Sequence, residues 1–163
     1  MKIRKNNKGF TLLEIIIVVA IISVLAVILL PRLARVRQPA NDAKRINDLR
    51  TIQGFLELYY QKYRFYPASI TVGFGSEGGG DCGALTTLCG ILITDGITNS
   101  VPGDPVAGSV YEYGSDIAPA QAYVIAATLQ SDDNPALEGD VDGAVPVYGV
   151  NCLDANKKYC IQF

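Results

Sequence analysis

Histidine is absent from the 163 residues. Its absence excludes Ser-His and Cys-His nucleophile systems and histidine-based metal catalysis. The four cysteines, Cys82, Cys89, Cys152 and Cys160, form no Cys-x-x-Cys pair, and no histidine can complete a mixed zinc site. Charged residues make up only 18% of the chain, against 49% hydrophobic ones. Cations are especially scarce beyond residue 66: Lys157 and Lys158 face twelve acids there, so this part should not bind nucleic acid by charge. Gly73 to Gly78 spells GxGxxG by letters. It lacks the strand before and the helix after that a dinucleotide site needs, and it reads as a flexible surface loop. No spacing suggests a pair of catalytic carboxylates, so the chain reads as a non-enzyme.

What is present is unevenly distributed. A length of 163 residues implies one modest globular unit. Residues 10–30 are apolar apart from Glu14, and about 20 such residues cross a bilayer as a helix. Before them, residues 1–9 carry Lys2, Arg4, Lys5 and Lys8 and no acid. After them, residues 31–66 carry eight Lys/Arg against Asp42, Asp48 and Glu57. A basic stem therefore carries an acidic head, a polarity that the net charge of −2 hides. All four cysteines lie beyond the apolar run, where an even count reads as two disulfides. Three connectivities are possible. The expected pairing is Cys82–Cys89 with Cys152–Cys160, each closing a short loop.

The basic-then-apolar order fits a secretory signal, a plain membrane anchor or a prepilin. A secretory signal has a shorter apolar stretch and a small-x-small cut site, whereas Leu29-Leu30-Pro31-Arg32 follows here. Lys8-Gly9-Phe10-Thr11-Leu12-Leu13-Glu14 resembles the processing motif of the type IV pilin family. The resemblance implies that a prepilin peptidase cuts between Gly9 and Phe10, that Phe10 is then N-methylated, and that Glu14 serves assembly. Physics agrees: a carboxylate inside an apolar membrane helix costs on the order of 2.5–3.5 kcal/mol at the centre and less near an end. A plain anchor has no use for it. In a polymer of packed helices Glu14 can pair with the Phe10 amine of a neighbour, more strongly because the surroundings are dry.

Pro31 and Pro39 fall inside what would otherwise be one long helix. Proline removes a backbone hydrogen bond, so Pro31 is the expected kink or opening point. Residues 40–63 read as an amphipathic helix, with Ala43, Ile46, Leu49, Ile52, Leu56, Tyr59 or Tyr60, and Tyr63 recurring every three or four positions. Lys44, Arg45, Asn47, Asp48 and Arg50 are assigned to its other faces. Residues 10–63 as one helix would span roughly 80 Å. The helix should stop before Tyr66-Pro67. A Gly-rich loop region, 67–107, follows, with a short helix expected at 84–93. Strands are expected at 110–113, 123–129, 145–150 and 158–162, forming an antiparallel meander on the helix.

The fold class is therefore α+β. The division is a cleaved leader (1–9), a membrane and polymerisation half of the helix (10–30), an amphipathic half (31–66) and a globular head (67–163, its sheet in 108–163). The resemblance extends to the head, where the Asp104-Pro105 turn followed by Tyr111-Glu112-Tyr113 is similar to type II secretion pseudopilins. It implies a subunit held in the cytoplasmic membrane with its head outside. That subunit enters a helical homo-oligomer by way of an assembly platform and ATPase, and ends as an extracellular or periplasmic filament. The filament is either a type IV pilus or the pseudopilus of a secretion or DNA-uptake system; the rival is an anchored binding protein that never polymerises. Asp132, Asp133, Glu138, Asp140 and Asp142 crowd one loop. Pseudopilins carry calcium in the head, so the resemblance makes this loop a calcium candidate, though its spacing is not that of an EF-hand. No other cofactor is expected.

Overall fold

The computed structural model describes residues 10–68, 74, 87–143 and 148–163, the side chains of 28–36 excepted. Helix α1 (Leu12–Tyr63) is followed by α2 (Leu88–Thr94) and strands β1 (Glu112–Ser115), β2 (Tyr123–Thr128) and β3 (Lys158–Gln162). Short 3-10 turns lie at Pro135–Gly139 and Asp154–Asn156. The chain divides into two compact units, Met1–Arg37 and Gln38–Phe163, and α1 runs through the boundary.

In the first unit α1 is apolar all round. Leu12, Leu13, Ile15, Ile21 and Val24 are each more than half exposed although they sit on different faces. A helix that is hydrophobic on every side needs lipid or other helices to cover it. Among the described residues no helix is long and apolar enough to cross a membrane; the apolar sequence continues through 28–30, whose side chains lie outside that description. The helix is continuous through Pro31 and Pro39.

In the second unit the expected stripe folds as predicted at its centre. Leu49, Ile52 and Leu56 are fully buried, each worth about 1.5–3 kcal/mol of apolar burial. The stripe ends differently: Ala43 is exposed, while Asp42, Arg45 and Asp48, charges assigned to the outer faces or left unplaced, are buried. The reason is local pairing, described below. α1 ends at Tyr63, followed by Arg64 at φ +66°.

The sheet has the order β1-β2-β3 and is antiparallel throughout, with Tyr113 opposite Ile125 and Ala126 opposite Cys160. Both faces of β2 are covered. Tyr123, Ile125 and Ala127 join the core that includes Leu49, Ile52 and Leu56, whereas Val124 and Ala126 pack with Val150, Cys152 and Cys160. That second layer was not expected: the sheet is the middle layer between α1 and the C-terminal loops. Gly114 permits it, since a Cβ there would stand 2.2 Å from the Tyr148 carbonyl oxygen.

Three expected elements shift. β1 begins two residues later than predicted, because Tyr111 pairs instead with Phe74 as an isolated bridge. Phe74 is itself buried, so at least this residue of the GxGxxG stretch belongs to the core rather than a surface loop. The described part of the short helix begins at Leu88, capped by Thr87, whose hydroxyl accepts from the Gly90 N–H at 3.1 Å. Half of the strand expected at 145–150, residues 145–147, lies outside the described residues, and Tyr148-Gly149 form a turn.

Candidate functional site

Two places carry the chemistry singled out by the sequence. At the N-terminal end of α1, Phe10 is 80% exposed; Gly9 lies outside the described residues. Thr11 and Glu14 form a reciprocal cap. The Glu14 N–H donates to the Thr11 hydroxyl at 3.2 Å, and the Thr11 N–H donates to Glu14 Oε2 at 3.3 Å. This is the Thr-x-x-Glu capping box, which satisfies two backbone donors that a helix start leaves unpaired. The Thr11 hydroxyl lies 3.5 Å from the same oxygen. The carboxylate is thus held at the positive end of the helix dipole, beside the Phe10 end of the chain. The Thr-x-x-Glu spacing was readable in the sequence.

The acidic loop after β2 is the second place. Of the five acids expected there, the structure brings Asp140 and Asp142 together with Asp154, with one carboxylate oxygen of each within 4.8 Å of the others. Asp140 Oδ2 accepts from the Cys160 N–H at 2.6 Å, while its Oδ1 is buried with no hydrogen-bond partner. Burial, together with Asp154 and Asp142, pushes the Asp140 carboxyl up despite the Cys160 amide. Desolvation and Asp142 likewise push Asp154 up. The other three acids are placed differently. Asp132 is paired with Lys157, and Asp132, Asp133 and Glu138 line a shallow pocket that Asp154 also borders.

Asp154 escaped the sequence reading because it stands twelve residues beyond Asp142 in the chain. The available signal was the Cys152–Cys160 pair: residue 154 lies inside the loop it closes. That disulfide is present as expected, with both cysteines buried. Cys89 is also disulfide-bonded; Cys82, the partner expected for it, lies outside the described residues.

A buried polar cluster fixes the lower part of the head to α1. The Gln130 and Ser131 amides donate to Asp42 at 2.7 and 2.9 Å. Arg45, 2% exposed, donates to both carboxylate oxygens of Asp104 at 2.7 and 2.8 Å, and lies 3.4 Å from Asp42. Asp48 accepts from Lys44 at 2.5 Å and from the Tyr111 hydroxyl at 2.6 Å. Burial alone would raise the Asp42 carboxyl; the two amides, the Ser131 side chain and Arg45 outweigh it and hold the carboxyl below the ordinary value. Burial works against the charge of Arg45, and Asp104 more than restores it. The periodicity could not reveal this, because a charge on a core-facing position reads as a break in the stripe until its partner is known.

The prokaryotic N-terminal methylation motif family matches residues 4–30. The type II secretion system core protein G of Escherichia coli K12 is 30% identical over 105 residues, covering 64% of this chain and 70% of that protein. The type IV wide pilus major component PilA4 of Thermus thermophilus is 46% identical over 55 residues, 34% of this chain and 42% of that protein. The core protein G of Klebsiella pneumoniae is 35% identical over 65 residues, 40% of this chain and 46% of that protein. The chain thus spans under half the length of the last two relatives. No solved structure matches it.

Proposed function

The chain belongs to the type IV pilin and type II secretion pseudopilin family, and on that footing we propose that it is a filament subunit, stored in the cytoplasmic membrane and polymerised through α1. The observation that carries this reading is the uncovered helix: apolar on every described face from Phe10 to Val27, with one carboxylate, Glu14, at its start. Lipid covers such a helix in the stored subunit, and neighbouring helices cover it in the filament. A prepilin peptidase cuts before Phe10 and the new amine is methylated. The amine of an incoming subunit then meets the Glu14 carboxylate of one already docked. Both end states keep the apolar surface dry, so transfer between them is near neutral, and an assembly platform with its ATPase gives it direction.

Two filaments fit, and the pseudopilus of a secretion system is favoured here. The 105 residues shared with core protein G necessarily run from the stem into the head, while the 55 shared with the wide-pilus component do not require the head. The head is held outside the cytoplasm on a single membrane pass. Mass spectrometry of sheared filaments tests the assignment. The expected subunit begins at N-methylated Phe10, and bulky replacements of Gly9 block processing. A surface filament whose subunits still begin at Met1 would overturn it.

The head also has a cation reading. Three carboxylates converge, and one buried oxygen, Asp140 Oδ1, has no hydrogen-bond partner. An all-oxygen donor set suits a hard cation such as calcium, which takes six to eight oxygens. Asp140, Asp142 and Asp154 would hold it, and its charge would relieve their mutual repulsion.

A further inference from the structure

Beyond residue 38 the solvent side of α1 carries a seam that the fold itself does not use. Asn47, Thr51, Gly54, Leu58 and Gln61 recur at spacings of four and three, so they share one face, and all five are exposed. None is charged, although charges usually stand on the outward line of a surface helix. Lys44, Arg50 and Lys62 lie beside the seam rather than on it. The Thr51 hydroxyl donates to the Asn47 carbonyl at 3.0 Å, which satisfies it without water. Leu58 is 49% exposed, the one large apolar side chain among the described residues that α1 leaves open in this unit. Gly54 stands at the middle of the seam. After proline, glycine is the costliest residue for a helix interior. Its usual compensation is a neighbouring group that a Cβ would strike, yet outside its own helix backbone and chain neighbours a Cβ at Gly54 would meet nothing within 4 Å. The subunit's own packing thus gives no reason for glycine there. A second molecule does, because without a Cβ another helix can approach the α1 backbone closely.

That second molecule is another copy of this chain. The apolar segment at 10–27 is open on every described face, and in a filament it needs helices on all sides. Where the Phe10 amine of one copy meets Glu14 of the next, neighbours are offset by four residues, about 6 Å of helix rise. Such an offset is small against a helix of 52 residues. Added along the filament, these offsets bring residues 10–27 of one copy level with residues beyond 38 of another. An uncharged seam with an open leucine suits an apolar neighbour, whereas a charged one would have to be desolvated. We propose that the seam at 47–61 is a second assembly surface: the apolar segment of another copy's α1 seats on it, with Gly54 as the point of closest approach. The proposal rests on the filament reading above. Its consequence is that the seam joins subunits that the Phe10–Glu14 pairing does not make immediate neighbours. Two different surfaces of one chain meet in such a contact, so it repeats without closing, as a filament requires.

The test uses the full chain in cells that process and assemble it, with the ratio of sheared filament to membrane-held subunit as the readout. Gly54→Ala should raise the thermal unfolding midpoint of the processed chain in detergent micelles by about 2–4 °C. Its filament ratio should nonetheless fall. Gly54→Leu suits a helix equally well but fills the approach, and should lower the ratio about tenfold or more. A gain in subunit stability with a loss of assembly is an outcome that a purely structural role for Gly54 would not give. The occupant is identified by a benzophenone amino acid in place of Leu58, incorporated at low fraction among wild-type subunits. After irradiation, peptide mapping should join position 58 of one copy to residues 10–27 of another in filaments, and not in membrane-held subunits. If wild type forms no filament, the filament reading fails and the seam with it. If wild type assembles and a folded Gly54→Leu assembles equally well, only the seam is overturned. Should Gly54→Leu fail to fold, the cross-link at position 58 decides alone: capture of a head segment, of a different protein or of nothing in the filaments overturns the proposal.

Discussion

In the isolated subunit the Glu14 carboxylate accepts from the Thr11 N–H, three residues away, and so caps its own helix. In the filament the same group is proposed to receive a neighbour's Phe10 amine. The two roles separate by substitution. Replacing Glu14 by Ala or Leu makes the helix more apolar, so membrane insertion should be unchanged or improved. Loss of the cap should cost the helix start only about 0.5–2 kcal/mol. Glu14→Gln keeps the cap acceptor and loses the charge. If the charge drives docking, Gln should assemble as poorly as Ala, whereas if the cap is what matters, Gln should assemble normally. The readout is the ratio of sheared filament to membrane-held subunit, with cleavage before Phe10 monitored in parallel. Wild-type assembly by all three variants would remove Glu14 from the mechanism.

At the scale of elements, α1 is tied to the head by charges rather than by apolar contact alone. The Asp42–Arg45–Asp104 cluster bonds the helix to the turn at 102–105 and to the start of the acidic loop at 130–131. Removing one member leaves a buried charge without its partner, so Asp104→Ala should destabilise the head by about 3–5 kcal/mol in thermal unfolding. The pH dependence has a definite sign. The folded Asp42 carboxyl lies below 3.8, so its contribution is complete above that pH and lost as pH falls through the lower folded value. Asp140 and Asp154 act oppositely. Their folded values lie above 3.8, so their cost is present at neutral pH and relieved on acidification toward 3.8. Amide exchange at 130–131 should therefore accelerate in acid before the sheet opens. Calcium should raise the melting temperature at pH 7, and this rise should vanish in Asp140→Asn. Protection at 130–131 as strong in Asp42→Ala as in wild type would contradict the assigned role of Asp42.

The whole molecule joins two units of different solvent preference, Met1–Arg37 and Gln38–Phe163. The second holds its own core, including α1 from Leu49 to Tyr59 packed with both the sheet and α2. Residues 38–163 expressed alone in an oxidising compartment should fold with the Cys152–Cys160 bond intact and should not enter filaments. Cooperative unfolding together with non-reducing peptide mapping checks this, and an unfolded product would show that the head depends on the first unit.

The long helix, the α+β class, β2 and β3, and the Cys152–Cys160 pairing were legible in the sequence, because each rests on short-range information. Apolar spacing every three or four residues marks the buried stripe, a run with Glu14 as its one charge marks the uncovered segment, and a short apolar run with β-branched Val124 and Ile125 marks Tyr123–Thr128. The family motif is equally local, since Gly9 through Glu14 lie within one stretch of chain. What only the tertiary structure decided involves partners far apart in sequence. Arg45 is buried because Asp104, fifty-nine residues later, lies opposite it. Phe74 enters the core because Tyr111 pairs with it. Asp154 rather than Asp132, Asp133 or Glu138 completes the carboxylate cluster because the disulfide folds its loop back to Asp140 and Asp142. A charge declares its preference for water or burial only once its counter-charge is in place, and that placement is a property of the fold.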